Sequence, residues 1–177
     1  MGENKEHRLQ WHPAFYASLQ IELADEAEYL EFECEHMLSS KPMQLDVLII
    51  KKDCEHKIRK NIGQNFRRYN IIEYKSPEDY FSIDDFYKVY GYTCFYKSDT
   101  RKVNEISADE LTISLISNHF PREMVKYLQE KGRTVSGQCE GIYLISDDEF
   151  IIQLIVTTQL SETDNLWLKN LTNDLRE

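Results

Sequence analysis

The spacing of hydrophobic positions changes from one segment of this chain to the next, and that spacing predicts its elements. Apolar residues recur every three to four residues where we expect helices, and every second residue or continuously where we expect strands. Pro13, Ser82 and Pro121 mark helix starts, and Gly132 marks a helix end. The predicted elements are, in order, a helix at 13–27, strands at 30–38, 44–50 and 69–75, a helix from 82, a strand at 110–117, a helix at 121–131, a hairpin of 141–146 and 150–160, and a helix from 161.

This order predicts the fold class. Three consecutive strands, a helix and a further strand indicate an α/β fold with a mixed β-sheet flanked by helices. A length of 177 residues favours one domain. Within it we expect a flexible tail at 1–12, a core at 13–120 and a C-terminal extension of the same domain at 121–177.

Composition narrows the class of protein. A hydrophobic content of 41% and a charged content of 29% are typical of soluble globular proteins. The sequence contains neither an apolar run long enough to span a membrane nor an N-terminal signal peptide, so we expect a cytoplasmic protein without a membrane partner. The four cysteines contain no C-x-x-C pair, which argues against a disulfide framework or zinc site and favours free, partly buried thiols.

Charge is distributed unevenly along the chain. The net charge of −10 argues against tight non-specific binding to a polyanion. The segment 51–68, however, has seven basic residues and two acidic residues. Within this basic segment Lys60, Arg67 and Arg68 could contact a DNA backbone, although a solvated loop explains the same pattern.

Charged side chains also occur where an apolar residue is expected. Asp46 interrupts the strand that reads as buried on both faces, and Glu73 and Lys75 share one face of the next strand. Glu22 lies on the apolar face of the first helix, with Glu26 beside it. Buried carboxylates are usually paired or bound to metal. If Asp46 lies beside Glu73, one carboxyl takes up a proton or a divalent cation neutralises both.

Simpler interpretations stay open for each of these residues. Glu73 and Lys75 could form an ion pair on an edge strand, and Asp46 could accept a hydrogen bond from the backbone near a turn. On the following helix, Tyr87 and Lys88 could face the site, but Tyr87 falls on the apolar stripe and is expected in the core. Lys88 points away from that stripe and is expected in solvent.

An acidic residue on one strand followed by E-x-K on the next resembles the PD-(D/E)xK nuclease superfamily. The surrounding text, "QLDVLIIKK" and "FRRYNIIEYKSPEDY", is similar to the branch that includes Rpn-type recombination-promoting nucleases and transposase-like proteins. The resemblance covers about residues 13–120 and implies a restriction-endonuclease-like αβββαβ core. Because Glu73 follows Asp46 by 27 positions, we expect the segment between these strands to loop out or form a short helix.

The resemblance also implies an activity and a set of site residues. It implies Mg²⁺- or Mn²⁺-dependent hydrolysis of DNA phosphodiester bonds. Asp46 and Glu73 match the two metal-binding acids, and Lys75 matches the lysine that positions the attacking water. Tyr74 would offer its backbone carbonyl to the metal, and Glu22 resembles the helix glutamate that some members add.

Two further hypotheses follow from the sequence. The protein could be a catalytically inactive relative that serves as a binding or assembly module, since its net negative charge would repel nucleic acid. It could also form a homodimer through the C-terminal helix that carries Trp167. We expect no nucleotide cofactor.

Overall fold

The computed structural model describes residues 11–35 and 44–171, and within them one mixed sheet forms the centre of the fold. The helices are α1 (Trp11–Glu22), α2 (Ile83–Ser98), α3 (Arg122–Glu130) and α4 (Leu166–Lys169). The strands are β1 (Leu30–Cys34), β2 (Val47–Lys51), β3 (Tyr69–Tyr74), β4 (Leu111–Ser117), β5 (Thr134–Cys139), β6 (Ile142–Ser146) and β7 (Ile151–Val156). The strand order is β1-β2-β3-β4-β7-β6-β5. β3, β4 and β7 run parallel, and the other neighbours are antiparallel.

Helices cover both faces of this sheet, which confirms the predicted α/β class. On one face, Phe86 of α2 and Leu128 of α3 share a buried cluster with Ile71 of β3. On the other face, Phe15 of α1 and Leu168 of α4 pack in a second cluster with β2, β3 and the segment between those strands. Because both faces of β2 and β3 are covered, these two strands are mostly apolar and buried, and Asn70 and Glu73 are the buried polar residues of β3.

Helix α2 begins where its cap predicts. The Ser82 hydroxyl accepts a hydrogen bond from the Asp85 backbone, and the Asp85 carboxylate accepts one from the Ser82 backbone, which forms a capping box. The buried face of this helix is formed by Phe86, Val89 and Thr93. The prediction that Tyr87 packs in the core is therefore wrong, because its side chain lies 46% exposed beside the buried face.

Other elements depart from the sequence prediction. Strand β5 was missed because its sequence is polar and most of it is exposed, so no apolar alternation marks it. Helix α1 begins at Trp11, inside the segment expected to be a tail, and a 3₁₀ turn at Ala24–Tyr29 replaces its expected last turn. The C-terminal helix begins after Asn165 rather than Ser161. The rest of the predicted tail, the end of the predicted first strand (36–38) and the chain after 171 lie outside the described residues.

The remaining predictions concern the hairpin, the basic segment and the cysteines. The hairpin of β6 and β7 is confirmed. The segment 51–68 loops out as expected and contains one 3₁₀ turn, Asn61–Gly63. All four cysteines are free, but they are exposed rather than partly buried. In the described part of the chain no helix has the length and apolar character needed to cross a membrane.

Candidate functional site

The register of β2 and β3 places Asp46 opposite Glu73. Val47 pairs with Ile72 in this antiparallel ladder, so the next position outward brings the two acidic residues together. Residues that face each other in such a ladder have Cβ atoms about 4.5–5.5 Å apart. Asp46 therefore lies just before β2 rather than inside it, and its Oδ2 accepts a hydrogen bond from the Tyr74 backbone at 2.9 Å. The segment 51–68 loops away and does not prevent this pairing.

Both carboxyl groups of this pair are removed from water. The Asp46 side chain is 17% exposed and the Glu73 side chain 7% exposed. Burial, followed by the charge of Asp46, raises the pKa of Glu73 to about 7. Burial also raises the pKa of Asp46, although the hydrogen bond from Tyr74 opposes this. Ionising both carboxyl groups in the folded chain is therefore unfavourable, as expected from the sequence for two neighbouring buried acids.

One oxygen of the pair has no partner within the described chain. Glu73 Oε2 is buried without a hydrogen bond, whereas buried side-chain oxygens are normally satisfied. A divalent cation would satisfy this oxygen and offset the charge of both carboxylates. On this observation the pair fits a cation such as Mg²⁺ or Mn²⁺. Among the described residues no group of three or more His, Cys, Asp and Glu side chains is placed to hold a metal ion, so Asp46 and Glu73 would supply two side-chain ligands.

Lys75 lies at the same end of the sheet but does not pair with Glu73. Its Nζ lies 2.7 Å from Asp85 Oδ1, and its backbone N–H donates to Ile116 of β4. The simpler alternative of an edge-strand ion pair does not hold, because β3 is an interior strand and Glu73 is buried. The favourable charge of Lys75 nevertheless lowers the pKa of both acidic groups, against the stronger effect of burial.

Two further side chains join the pair, and sequence reasoning found no role for His12. Lys88 is exposed, as expected, and its Nζ lies 3.6 Å from Glu73 Oε1, so it also faces the pair. It follows Asp85 by three residues and so lies on the same side of α2, a signal that was present in the sequence. His12 Nδ1 lies 3.4 Å from Asp46 Oδ1. His12 precedes the predicted helix, and no sequence pattern places it near the strand ends.

Glu22 is buried elsewhere. It accepts hydrogen bonds from the Trp167 backbone at 2.5 Å and from the Asn165 side chain at 3.5 Å, and it pairs with Lys60 at 3.2 Å. It lies ten residues beyond His12 on α1, a rise of about 15 Å. The structure therefore brings Asp46, Glu73 and Lys75 together and leaves Glu22 at the other end of α1. Helical periodicity gave its inward direction but not its position along the sheet.

Glu26, the alternative to Glu22, also has its own partners. Its carboxylate contacts His56 at 2.5 Å and Arg59 at 3.2 Å. The hydrogen bond from His56 lowers the pKa of Glu26, and burial opposes this. Both buried glutamates of this region are thus neutralised by the basic segment.

The candidate DNA contacts of the basic segment lie away from the carboxylate pair. Lys60 is committed to Glu22, and Arg68 lies 3.8 Å from Glu110 and over the ring of Tyr69. Arg67 is exposed and its backbone N–H donates to Asn70 and Thr112. Arg68 lies five residues before Glu73 on an extended strand, about 17 Å away.

The side chains of Tyr74 and Glu73 lie on opposite faces of β3. Its ring is buried and stacks on Phe15 with centroids 4.4 Å apart, on the α1 face. Successive side chains of a strand alternate, so Glu73 points to the α2 face. The Tyr74 hydroxyl is buried without a hydrogen-bond partner, and burial raises its pKa. The contribution of Tyr74 to the pair is the backbone N–H bound to Asp46.

No protein-family model, no curated protein and no solved structure matches this chain. The geometry of the site therefore carries the functional argument.

Proposed function

We propose that this protein is a divalent-cation-dependent nuclease that hydrolyses DNA phosphodiester bonds. The observation that carries the proposal is the buried Asp46–Glu73 pair, with one unsatisfied oxygen and two lysines near it. The order α1-β1-β2-β3-α2-β4 supports a core related to the restriction-endonuclease-like fold, because it follows the same αβββαβ sequence. A carboxylate pair on adjacent strands with a lysine two residues further on is the arrangement expected for that chemistry.

The proposal gives each side chain of the site a role. Asp46 and Glu73 would hold Mg²⁺ or Mn²⁺, and the Tyr74 carbonyl would supply a further oxygen ligand. When bound, the cation neutralises both carboxylates and offsets the charge of the scissile phosphate. Lys75 donates a hydrogen bond to the attacking water and orients it. Lys88, half-exposed beside Glu73, contacts a phosphate oxygen of the substrate.

The proposal is tested by cleavage of labelled single-stranded and duplex DNA in Mg²⁺ or Mn²⁺. The variants are Asp46→Asn and Glu73→Gln, which keep the shape of each side chain and remove its charge. We expect each to lose at least about 100-fold in rate, since loss of even an indirect metal partner costs 10–100-fold. Glu130→Gln, which neutralises an exposed acid of α3, is the control and should retain full activity. Equal cleavage by all four proteins, or none by the wild type, would remove the proposal.

A catalytically inactive binding or assembly module is the second candidate. Lys75 and Lys88 already pair with acidic groups of the chain, and the basic residues Arg59, Lys60 and Arg68 also contact acids. This internal neutralisation leaves little positive charge for DNA on a chain of net charge −10. Thermal unfolding with added Mn²⁺ distinguishes the two, because only a protein that binds the cation is stabilised by it.

A homodimer remains a proposal for assembly. Three large apolar side chains of α1 and α4 are exposed, Ile21, Leu166 and Trp167. Sedimentation velocity of the wild type and of Trp167→Ala tests this interface. A wild-type dimer that dissociates in the variant supports it, and a wild-type monomer removes it.

A further inference from the structure

A pocket of about 530 Å³ opens at the carboxyl ends of β4 and β7. Its volume lies within the usual range for small-ligand sites, and the carboxyl ends of parallel strands are where α/β sheets usually bind ligands. The side chains that matter for its chemistry are Tyr80, Asn118, His119, Phe120 and Arg122. None of them belongs to the carboxylate pair.

The pocket and the carboxylate pair lie at the same end of the sheet, where β3, β4 and β7 have their carboxyl ends. The Lys75 backbone N–H donates a hydrogen bond to Ile116 O of β4 at 2.9 Å. Asn118, which lines the pocket, follows Ile116 by two residues. That step covers about 7 Å. The loop after β3 is also tied to the pocket, because His119 Nε2 lies 3.2 Å from Pro77 O. A chain molecule whose phosphate lies at Glu73 would therefore place a neighbouring unit in this pocket.

The pocket wall contains an aromatic stack that is open on one side. The rings of Tyr80 and His119 are nearly parallel, with centroids 4.9 Å apart and an angle of 20° between them. Tyr80 is nevertheless 64% exposed, so the ring face away from His119 is free for another flat group. A tyrosine ring stabilises a fold when it is buried, and the ring of Tyr80 is exposed. Its position on a pocket wall suits stacking with a ligand.

Two charged side chains of opposite sign, Arg122 and Glu123, line the pocket, and Arg122 is the group that suits a phosphate. Arg122 is exposed and begins α3, whose first backbone N–H groups lie at the same end. The guanidinium group binds phosphate in a bidentate manner, and the helix N-terminus favours negative charge. At the base of the pocket, the buried Asn118 is held by Thr157 and Thr158. An aromatic face, a cation and a fixed amide together suit a nucleotide.

We propose that this pocket holds an unpaired nucleotide next to the scissile phosphate, so that the substrate is single-stranded DNA. The inference rests on the proposed nuclease function and specifies its substrate class. A base inside a duplex has both faces covered by its neighbours and cannot stack on Tyr80, whereas a base in a single strand can. The nucleotide stacks on Tyr80, and Arg122 binds its phosphate.

Binding is measured by fluorescence anisotropy with a labelled 12-nucleotide single strand and a 12-base-pair duplex, in EDTA so that cleavage does not consume the probe. Stacking of one base on an aromatic residue predicts that Tyr80→Ala weakens single-strand binding about 5- to 100-fold. Tyr80→Phe, which keeps the ring, should bind as the wild type does. Tyr87→Ala is the matched control, because Tyr87 is an exposed tyrosine of α2 outside the pocket.

The outcomes separate this inference from the proposed function. If the wild type binds the single strand no more tightly than the duplex, or if Tyr80→Ala binds as tightly as Tyr87→Ala, the pocket assignment is overturned. If Tyr80→Ala weakens binding as expected but the wild type cleaves no DNA in Mg²⁺ or Mn²⁺, the pocket binds nucleotides and the nuclease proposal fails. Cleavage that is unaffected in Tyr80→Ala overturns the pocket alone.

Discussion

Replacing Glu73 by glutamine should make the protein more stable at alkaline pH. The carboxylate of Glu73 is buried beside Asp46, and one of its oxygens has no hydrogen-bond partner among the described residues. In the absence of a cation, ionising this group in the folded chain costs free energy that the unfolded chain does not spend. Glu73→Gln keeps the size of the side chain and removes the ionisation, so it removes this cost.

The size of the effect follows from the pKa of Glu73, which rises from 4.5 to about 7 on folding. Because the folded state binds this proton more tightly than the unfolded chain does, wild-type stability falls as the pH rises through this interval. Linkage over the span from pH 5 to pH 8 gives a loss of about 2.5 kcal/mol for the wild type relative to Glu73→Gln. For a chain of this length, about 2.5 kcal/mol corresponds to a difference of about 5–10 °C in Tm.

Urea unfolding in EDTA at pH 5 and pH 8 measures this difference directly. The control is again Glu130→Gln, whose carboxylate is exposed and should follow the wild type at both pH values. We expect the stability advantage of Glu73→Gln to grow by about 2.5 kcal/mol between pH 5 and pH 8. If the stability advantage of Glu73→Gln is the same at both pH values, the fold does not raise the pKa of Glu73.

Three further outcomes follow from the same geometry. Because a proton and a cation compete for Glu73, whose pKa is raised to about 7, Mn²⁺ affinity measured by calorimetry should rise about tenfold from pH 6 to pH 8, and a flat profile would contradict this. If the charge of Asp85 acts by holding Lys75, the double variant Lys75→Ala/Asp85→Asn, which keeps a capping oxygen for Ser82, should cleave DNA no more slowly than Lys75→Ala alone, whereas additive losses would assign this charge a further role. Lys60→Met leaves Glu22 buried without its cation and should lower the free energy of unfolding by about 2 kcal/mol, while Arg67→Met, an exposed control, should change it by less than about 0.5 kcal/mol; equal effects would refute the importance of this pair.

The apolar spacing predicted the sheet well where strands are buried. β2, β3 and β4 read as apolar runs because helices cover both of their faces, and Ser82 capped α2 through a local hydrogen bond that depends on nearby residues only. β5 had no such signal, since an exposed edge strand has little need of apolar side chains. The spacing of apolar residues indicates which positions are buried. It therefore does not predict a strand such as β5 that is held in the sheet by backbone pairing alone.

For the site, the sequence predicted which carboxylates are unusual but not all of their partners. Asp46 and Glu73 stand out because an acid in a buried strand is costly, and the ladder register then places them opposite each other. Glu22 stands out for the same reason, yet its partners are Lys60 and the C-terminal segment. The spacing of apolar residues in the sequence predicts which side chains point inward. The partner of such a side chain depends on how segments distant in the sequence pack together.

Anomalous diffraction from crystals soaked in Mn²⁺ at pH 8 shows whether a cation binds between Asp46 and Glu73. We predict one strong peak between the two carboxylates, within about 2.2 Å of an oxygen of each, and its loss in Glu73→Gln. A wild-type crystal with no peak at this position, or with its peak beside Glu22 and Glu26 instead, would refute the proposed cation site.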